Sequence, residues 1–311
     1  MTDNAAFKVL QKYYPGGFFG NDKDGRPVFI EPLGTVDFIG ILHSAKVEDI
    51  VEFKRRHCEE GKQRCFKQEE KLGKALVTYT TLLLDAEGGG RKHLWKPGLN
   101  SYQAVIRMYE EEFPNLRERI IVVNAPMIFP IIFALIKPFL SQATKDKVKV
   151  FGSDWKESLL KYIDKDNLPE YYGGTCKDEN GSPKCEQYIC YGGEVPKSYY
   201  VTENVNFDSF ETITVKAGSK ATIAHEVKIA NSKIKYQFIT SDYNIEFSVD
   251  VETEGGENIN IYPKTKKASH LIMEEGEITC KQTGNYLFTF DNSYSWIRGK
   301  EVFYMIKVEE S

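Results

Sequence analysis

The sequence has no CxxC pair, and its six cysteines, Cys58, Cys65, Cys176, Cys185, Cys190 and Cys280, never fall at metal-ligand spacing with its five histidines. That absence argues against the zinc-ribbon and zinc-finger classes and leaves reduced thiols and no bound metal as the expectation. Cys185 and Cys190 could pair in an oxidising compartment, but nothing else points to one. No apolar run reaches the roughly 18–20 residues of a membrane-spanning helix. The opening MTDNAAFKVLQKYYPGG lacks a basic stretch followed by an apolar core, so no secretory leader is expected and the chain is read as cytoplasmic. The net charge of −4 gives no reason to expect a nucleic-acid partner. Neither GxGxxG, GxxxxGK[ST] nor GxSxG occurs. These absences remove the common dinucleotide, P-loop and serine-hydrolase signatures.

What is present is a large apolar inventory: of the 311 residues, 41% are hydrophobic and 13% are aromatic. Length alone suggests two domains. Up to about residue 174, strand-like and helix-like segments alternate. The strands are 25–34, 74–88, 119–126 and 147–153, each read as buried; helical stretches cover about 44–70, 99–113, with 110–112 toward solvent, and 153–163, opened by Ser153 as N-cap. Continuous apolar strands between helices predict a largely parallel sheet with both faces covered. Residues 171–200 are rich in Gly, Pro and Lys and read as a linker with turns. From about 203 onward, short alternating segments such as ETITVKAG, IEFSVDVETEGG and NYLFTFDN predict an all-β sandwich.

Catalytic readings find little. DAEGGGRKHLW (85–95) follows a strand but has no phosphate-loop spacing. Asp85 and Glu87 could form a carboxylate pair, yet no histidine completes a triad, and His93 beside Arg91 and Lys92 reads as a surface helix start. No catalytic residue and no cofactor is assigned.

The outlier is APMIFPIIFALIKPFLSQATKDK (125–147). Every residue from 125 to 136 is apolar, and prolines stand at 126, 130 and 138. An all-round apolar helix needs apolar matter on every side. One side can face the sheet; the other would face a bound lipid or a membrane. Pro130 suits a first helical turn, Pro138 disturbs the helix behind it, and Ser141 can cap a short helix after it.

Several motifs in order carry a resemblance: YYPGG (13–17), DKDGRPV (22–28), the strand ending in Asp85, KHLWKP (92–97), VVNAPMIFP (122–130), IKPFLS (136–141) and LPEYYGGT (168–175). The chain resembles the CRAL-TRIO lipid-transfer family over about 7–175. Residues 203–309 are similar to a GOLD domain, most specifically in TGNYLFTFDNSYSWIRGKEVFYMIKV (283–308). The resemblance implies an α/β lipid-binding domain over 1–190, with its usual N-terminal helical segment largely absent, then a GOLD jelly-roll sandwich over 191–311. It implies an apolar cavity closed by a mobile gate helix at 129–140, with Phe129, Ile132, Phe133, Ile136, Phe139 and Leu140 against the lipid. By motif spacing, Thr144 and Lys147 match headgroup contacts of a family member that carries phosphatidylinositol and phosphatidylcholine. Asn115 falls where that member has a glutamate, Phe18 and Phe29 where it has tyrosines, and Thr80 where it has a serine. The implied function is non-catalytic transfer of phosphatidylinositol or of a tocopherol- or squalene-like lipid, with transient contact at membranes. The alternative is a lipid-sensing adaptor whose GOLD domain binds trafficking proteins.

Overall fold

The computed structural model describes residues 5–76, 79–114, 116–201, 207–253 and 255–310. The chain forms two compact units, Met1–Tyr199 and Tyr200–Ser311.

The first unit is built on a five-stranded sheet in the order β1 (Gly17–Asn21), β2 (Pro27–Glu31), β3 (Thr80–Asp85), β4 (Arg117–Val123) and β5 (Val148–Val150). Only the β1–β2 pair is antiparallel. The helices are α1 (Ala5–Tyr13), α2 (Phe38–Ser44), α3 (Val47–Leu72), α4 (Lys96–Glu112), α5 (Phe129–Ile136), α6 (Gln142–Asp146) and α7 (Trp155–Leu159). Strand periodicity gives the continuous apolar runs two separate tasks. Leu83, Ile121 and Val123 point to one face and join a core with Leu159, Tyr172 and Ile189. Leu82, Leu84 and Ile120 point to the other, beside Phe18 and Phe29.

Helix α3 covers part of that second face. Its buried positions Ile50, Phe53, Lys54, Cys58, Gly61 and Cys65 recur at helical spacing. A side chain at Gly61 would stand 3.0 Å from both Phe18 and Thr80, so glycine lets the helix lie close on the sheet. Its outer surface carries ion pairs such as Arg64–Glu60 at 2.8 Å and, across to α4, Arg55–Glu112 at 2.7 Å.

Three expectations are corrected here. The strand expected to be buried at 147–153 is the short β5 at the sheet edge, with Lys149 and Val150 exposed. The helix expected over 153–163 spans only Trp155–Leu159, and its N-cap is Asp154, not Ser153. The segment 171–200 is no loose linker. Tyr172, Cys185 and Ile189 pack against the back of the sheet, and Val195 is buried. Its polar ties are equally specific: Thr35 Oγ1 donates to the Tyr191 carbonyl at 2.6 Å and the Val195 N–H to Asp37 Oδ2 at 3.0 Å. The expected division at 190/191 therefore falls within the first compact unit.

The second unit is a sandwich of two antiparallel four-stranded sheets, consistent with the alternation read from sequence. Its strands are β6 (Glu211–Val215), β7 (Lys220–Val227), β8 (Lys233–Thr240), β9 (Ile245–Thr253), β10 (Asn258–Lys267), β11 (Glu274–Thr279), β12 (Gly284–Asp291) and β13 (Lys300–Glu309). One sheet runs β10-β9-β12-β7, the other β11-β8-β13-β6. Alternate residues Tyr286, Phe288 and Phe290 of β12 face inward against Phe247 and Val249 of β9 and Phe238 of β8. Phe247 lies opposite Phe290 in register, their centroids 5.4 Å apart. Cross-strand aromatic pairs of this kind stabilise a sheet and fix its register.

Candidate functional site

The first unit encloses an apolar cavity of about 160 Å³. On the same measure one water needs about 10–15 Å³, so this is no packing defect. Most of its wall comes from the sheet and two helices. The sheet supplies Leu82, Leu84, Ile120 and Val122. Helix α4 supplies Leu99, Tyr102, Ile106 and Tyr109, one face at three- and four-residue steps. Helix α5 supplies Phe129, Ile132, Phe133 and Ile136, followed by Leu140.

Helix α5 is apolar on its other side too. Ile131 is 56% exposed and Leu135 is also exposed, while Met127, just before the helix, is 98% exposed. The Phe129 and Phe133 rings stack at 5.8 Å. Pro130 sits in the first turn, and the helix gives way at Ile136 to a tight turn, Lys137–Phe139, that contains Pro138. Among the described residues, Gln103 Nε2 of α4 donates to the Leu135 carbonyl at 3.2 Å. Ser141 caps α6, accepting from the Thr144 N–H at 3.2 Å.

The sequence-derived candidates separate into groups. Phe129, Ile132, Phe133, Ile136, Leu140, Thr144 and Lys147 line the cavity. Phe139 is half-buried at the end of the tight turn, 5.9 Å from the Arg107 guanidinium. Phe18 and Phe29 pack edge to face at 4.9 Å in the buried cluster next to the cavity. Thr80 is buried, donating to the Leu116 carbonyl at 2.9 Å and accepting from Arg117 Nη1 at 2.7 Å. Asn115 lies outside the described residues.

The structure adds residues that sequence reasoning missed. Arg117 lines the cavity with its guanidinium 5.5 Å from the Phe29 ring centroid and 5.8 Å from that of Tyr109. Lys147 donates to the Arg117 carbonyl at 2.7 Å, so these two cations share one end of the lining with Thr144. Glu110, expected toward solvent, also lines the cavity. His93 corrects its surface reading: it is buried and faces the cavity. Its Nδ1 lies 3.0 Å from the Gly90 N and 3.2 Å from the Gly90 carbonyl oxygen, and its buried Nε2 makes no hydrogen bond. Burial lowers its pKa, which favours the neutral ring. Asp85, by contrast, is a structural hub. It accepts from the Glu87 N–H at 3.0 Å, Asn124 Nδ2 at 3.0 Å and Tyr172 Oη at 3.1 Å, and burial raises its pKa.

A second polar feature lies in the core under α3. His57 packs 4.5 Å from Phe53 and 5.3 Å from Phe29, and its buried Nδ1 makes no hydrogen bond. Burial first, then Lys54 and Arg117, hold its pKa down to about 3. The folded state thus keeps His57 neutral, while the unfolded chain takes up a proton near the ordinary value of about 6.5. Stability should fall as pH drops from about 6.5 toward 3, by at most about 1.4 kcal/mol per pH unit. Urea midpoints measured across this window for the protein and for His57→Phe check it: the variant should lose that part of the slope, and identical slopes would refute the assignment.

Among the described residues no helix is long and apolar enough to cross a membrane, and no cluster of three or more His, Cys, Asp or Glu side chains could hold a metal ion.

The described residues form an α/β domain whose mixed sheet has an apolar cavity under an apolar helix, and an antiparallel β-sandwich domain. The CRAL/TRIO domain profile matches residues 11–174, and the emp24/gp25L/p24 family/GOLD profile matches 211–311. The chain belongs to the CRAL/TRIO family and carries a GOLD domain after it. Protein ctg-1 of Caenorhabditis elegans is 30% identical over 97% of this chain and 80% of its own length. CRAL-TRIO domain-containing protein T23G5.2 of the same species is 30% identical over 79% of this chain and 35% of its own. Protein real-time of Drosophila pseudoobscura pseudoobscura is 33% identical over 68% and 30%. The chain thus spans about a third of the length of the last two.

Proposed function

We propose that the first unit carries one hydrophobic molecule in its cavity and moves it between membranes without altering it, at membrane surfaces in the cytoplasm. The observation that carries this reading is a cavity roofed by a helix apolar on both faces. Closed, α5 covers the cargo; swung out, the same side chains meet the bilayer. Burying an acyl-sized chain gains about 0.8 kcal/mol per methylene, on the order of 10 kcal/mol in all. Bilayer and cavity both supply that term, so transfer needs a route around water rather than a driving force. Among the described residues the polar tie between α4 and α5 is the Gln103–Leu135 hydrogen bond, which leaves little to break in such a motion.

The cargo proposed is an elongated apolar molecule with a small hydroxyl head, tocopherol-like, rather than an inositol phospholipid. His93 lines the cavity, and its Nε2 has no hydrogen-bond partner within the protein, so a small hydroxyl head could satisfy it. Arg117 and Lys147 are already bonded within the protein, and Phe18 and Phe29 bring no hydroxyls. The domain order is similar to that of the animal supernatant protein factor, also called tocopherol-associated protein, which supports the same choice. Transfer of fluorescent tocopherol and of fluorescent phosphatidylinositol from donor to acceptor vesicles tests both parts. Acceleration of the first over the second is expected. No acceleration of either would overturn transfer, and selective phosphatidylinositol transfer would overturn the cargo.

A further inference from the structure

Trp296 and Ile297 stand 94% and 89% exposed in the turn between β12 and β13. Two adjacent side chains of this size in water forgo the burial that most of their kind obtain, and such exposure marks interaction sites. The turn that carries them is firmly held. Asn292, fully buried, holds its Nδ2, with two N–H donors, 3.2, 3.2 and 3.0 Å from the carbonyls of Val215, Lys216 and Arg298. Ser295 Oγ donates to the Arg298 carbonyl at 3.0 Å. Tyr294 Oη donates to the Asn244 carbonyl at 2.6 Å and accepts from Lys300 Nζ at 2.6 Å. The backbone is thus fixed on both sides of the apolar pair, which is projected outward rather than left to fold down.

Exposed basic side chains surround the pair, with Glu301 also exposed beside Lys300. Exposed Arg298 stacks 5.0 Å over Tyr243, itself exposed. Exposed Lys266 lies 3.7 Å over Tyr294. Lys216, whose carbonyl Asn292 holds, is exposed as well. Of the nearby carboxylates, Asp291 and Glu246 are both engaged by Lys264, at 3.3 and 3.6 Å, and Asp242 shares the Tyr243 turn.

We infer that this turn of the second unit docks on an anionic lipid bilayer, with Trp296 and Ile297 in the interfacial layer and Arg298, Lys266 and Lys216 on lipid phosphates. Indole, with an apolar body and one N–H donor, favours the membrane–water interface. Basic side chains next to it add attraction to negatively charged headgroups. A protein acceptor would have to supply a pocket matched to a protruding pair, whereas a bilayer needs only that the pair protrude. The inference stands on the second unit alone and does not rest on the cavity reading.

Flotation of the full chain with vesicles of phosphatidylcholine, with and without phosphatidylserine, tests it. The protein should float with the anionic vesicles. Trp296→Ser with Ile297→Ser should weaken that binding about tenfold or more, and Arg298→Gln about fivefold on anionic vesicles alone. Both sites are exposed, so the melting temperature should not move. Brominated acyl chains should quench the Trp296 emission, read as the difference between the protein and Trp296→Phe. Equal flotation of the double variant, or no quenching of Trp296, overturns the inference. A saturable protein partner that needs Trp296 while vesicle binding does not would overturn it too, and would assign the turn to a protein interface.

Discussion

Lys54→Met should lower the unfolding midpoint of the first unit by about 6–20 °C, from a loss of about 3–5 kcal/mol. Lys54 stands on the buried stripe of α3, with its side chain 0% exposed, and donates to Glu31 Oε1 at 2.7 Å. Its Nζ is 4.9 Å from the centroids of both Tyr14 and Phe29. Glu31, at the end of β2, is buried as well. Removing the lysine strands a carboxylate in the core, and that uncompensated group costs more than the pair ever contributed. Replacing both, Lys54→Met with Glu31→Leu, should recover most of the loss. Calorimetry on the three proteins decides; a single variant as stable as the parent would mean that the pair is solvated rather than buried.

Ile132→Glu and Phe133→Asp should each slow vesicle-to-vesicle transfer by between about tenfold and a few hundredfold while moving the melting temperature by only about 3 °C. Both side chains line the cavity, and both are half-buried on a helix whose outer side is open. A carboxylate facing lipid costs about 2.5–3.5 kcal/mol, whether the lipid is the cargo or the bilayer. In the unloaded protein the same carboxylate can reach water, so folding suffers less. Unchanged transfer in both variants would show that α5 is not the route.

Much of this was legible in the sequence because two periodicities survive in it. The alternation along β9 and β12 marked a sandwich, and the all-round apolarity of 125–136 marked a helix that is apolar on its exposed side as well as on its cavity side. The rest was hidden for physical reasons. Lys54 reads as one more charge on a charged helix, since burial is decided by Glu31, 23 residues away. Residues 171–200 carry the Gly and Pro of a linker, yet Tyr172, Cys185 and Ile189 join Leu159, Ile163 and Leu168 in covering one face of the sheet. The KVKV of β5 has strand propensity but ends at a sheet edge, where Lys149 and Val150 meet solvent. At the cavity, the roof could be read because its residues are contiguous. Leu84, Tyr102, Tyr109, Arg117 and His93 come from separate elements that only the fold brings together. An orphaned ring nitrogen on His93 leaves no trace in sequence.

Native mass spectrometry of the purified full chain tests the central claim most directly, that the cavity under α5 holds one hydrophobic molecule. Leu84 lines the sheet side of that cavity, and Leu84→Trp would fill it without introducing charge. The account predicts a single adduct of lipid mass, extractable into organic solvent, on the parent protein and its loss from a folded Leu84→Trp variant. An adduct of the same mass and occupancy on that variant would place the ligand elsewhere and contradict the account.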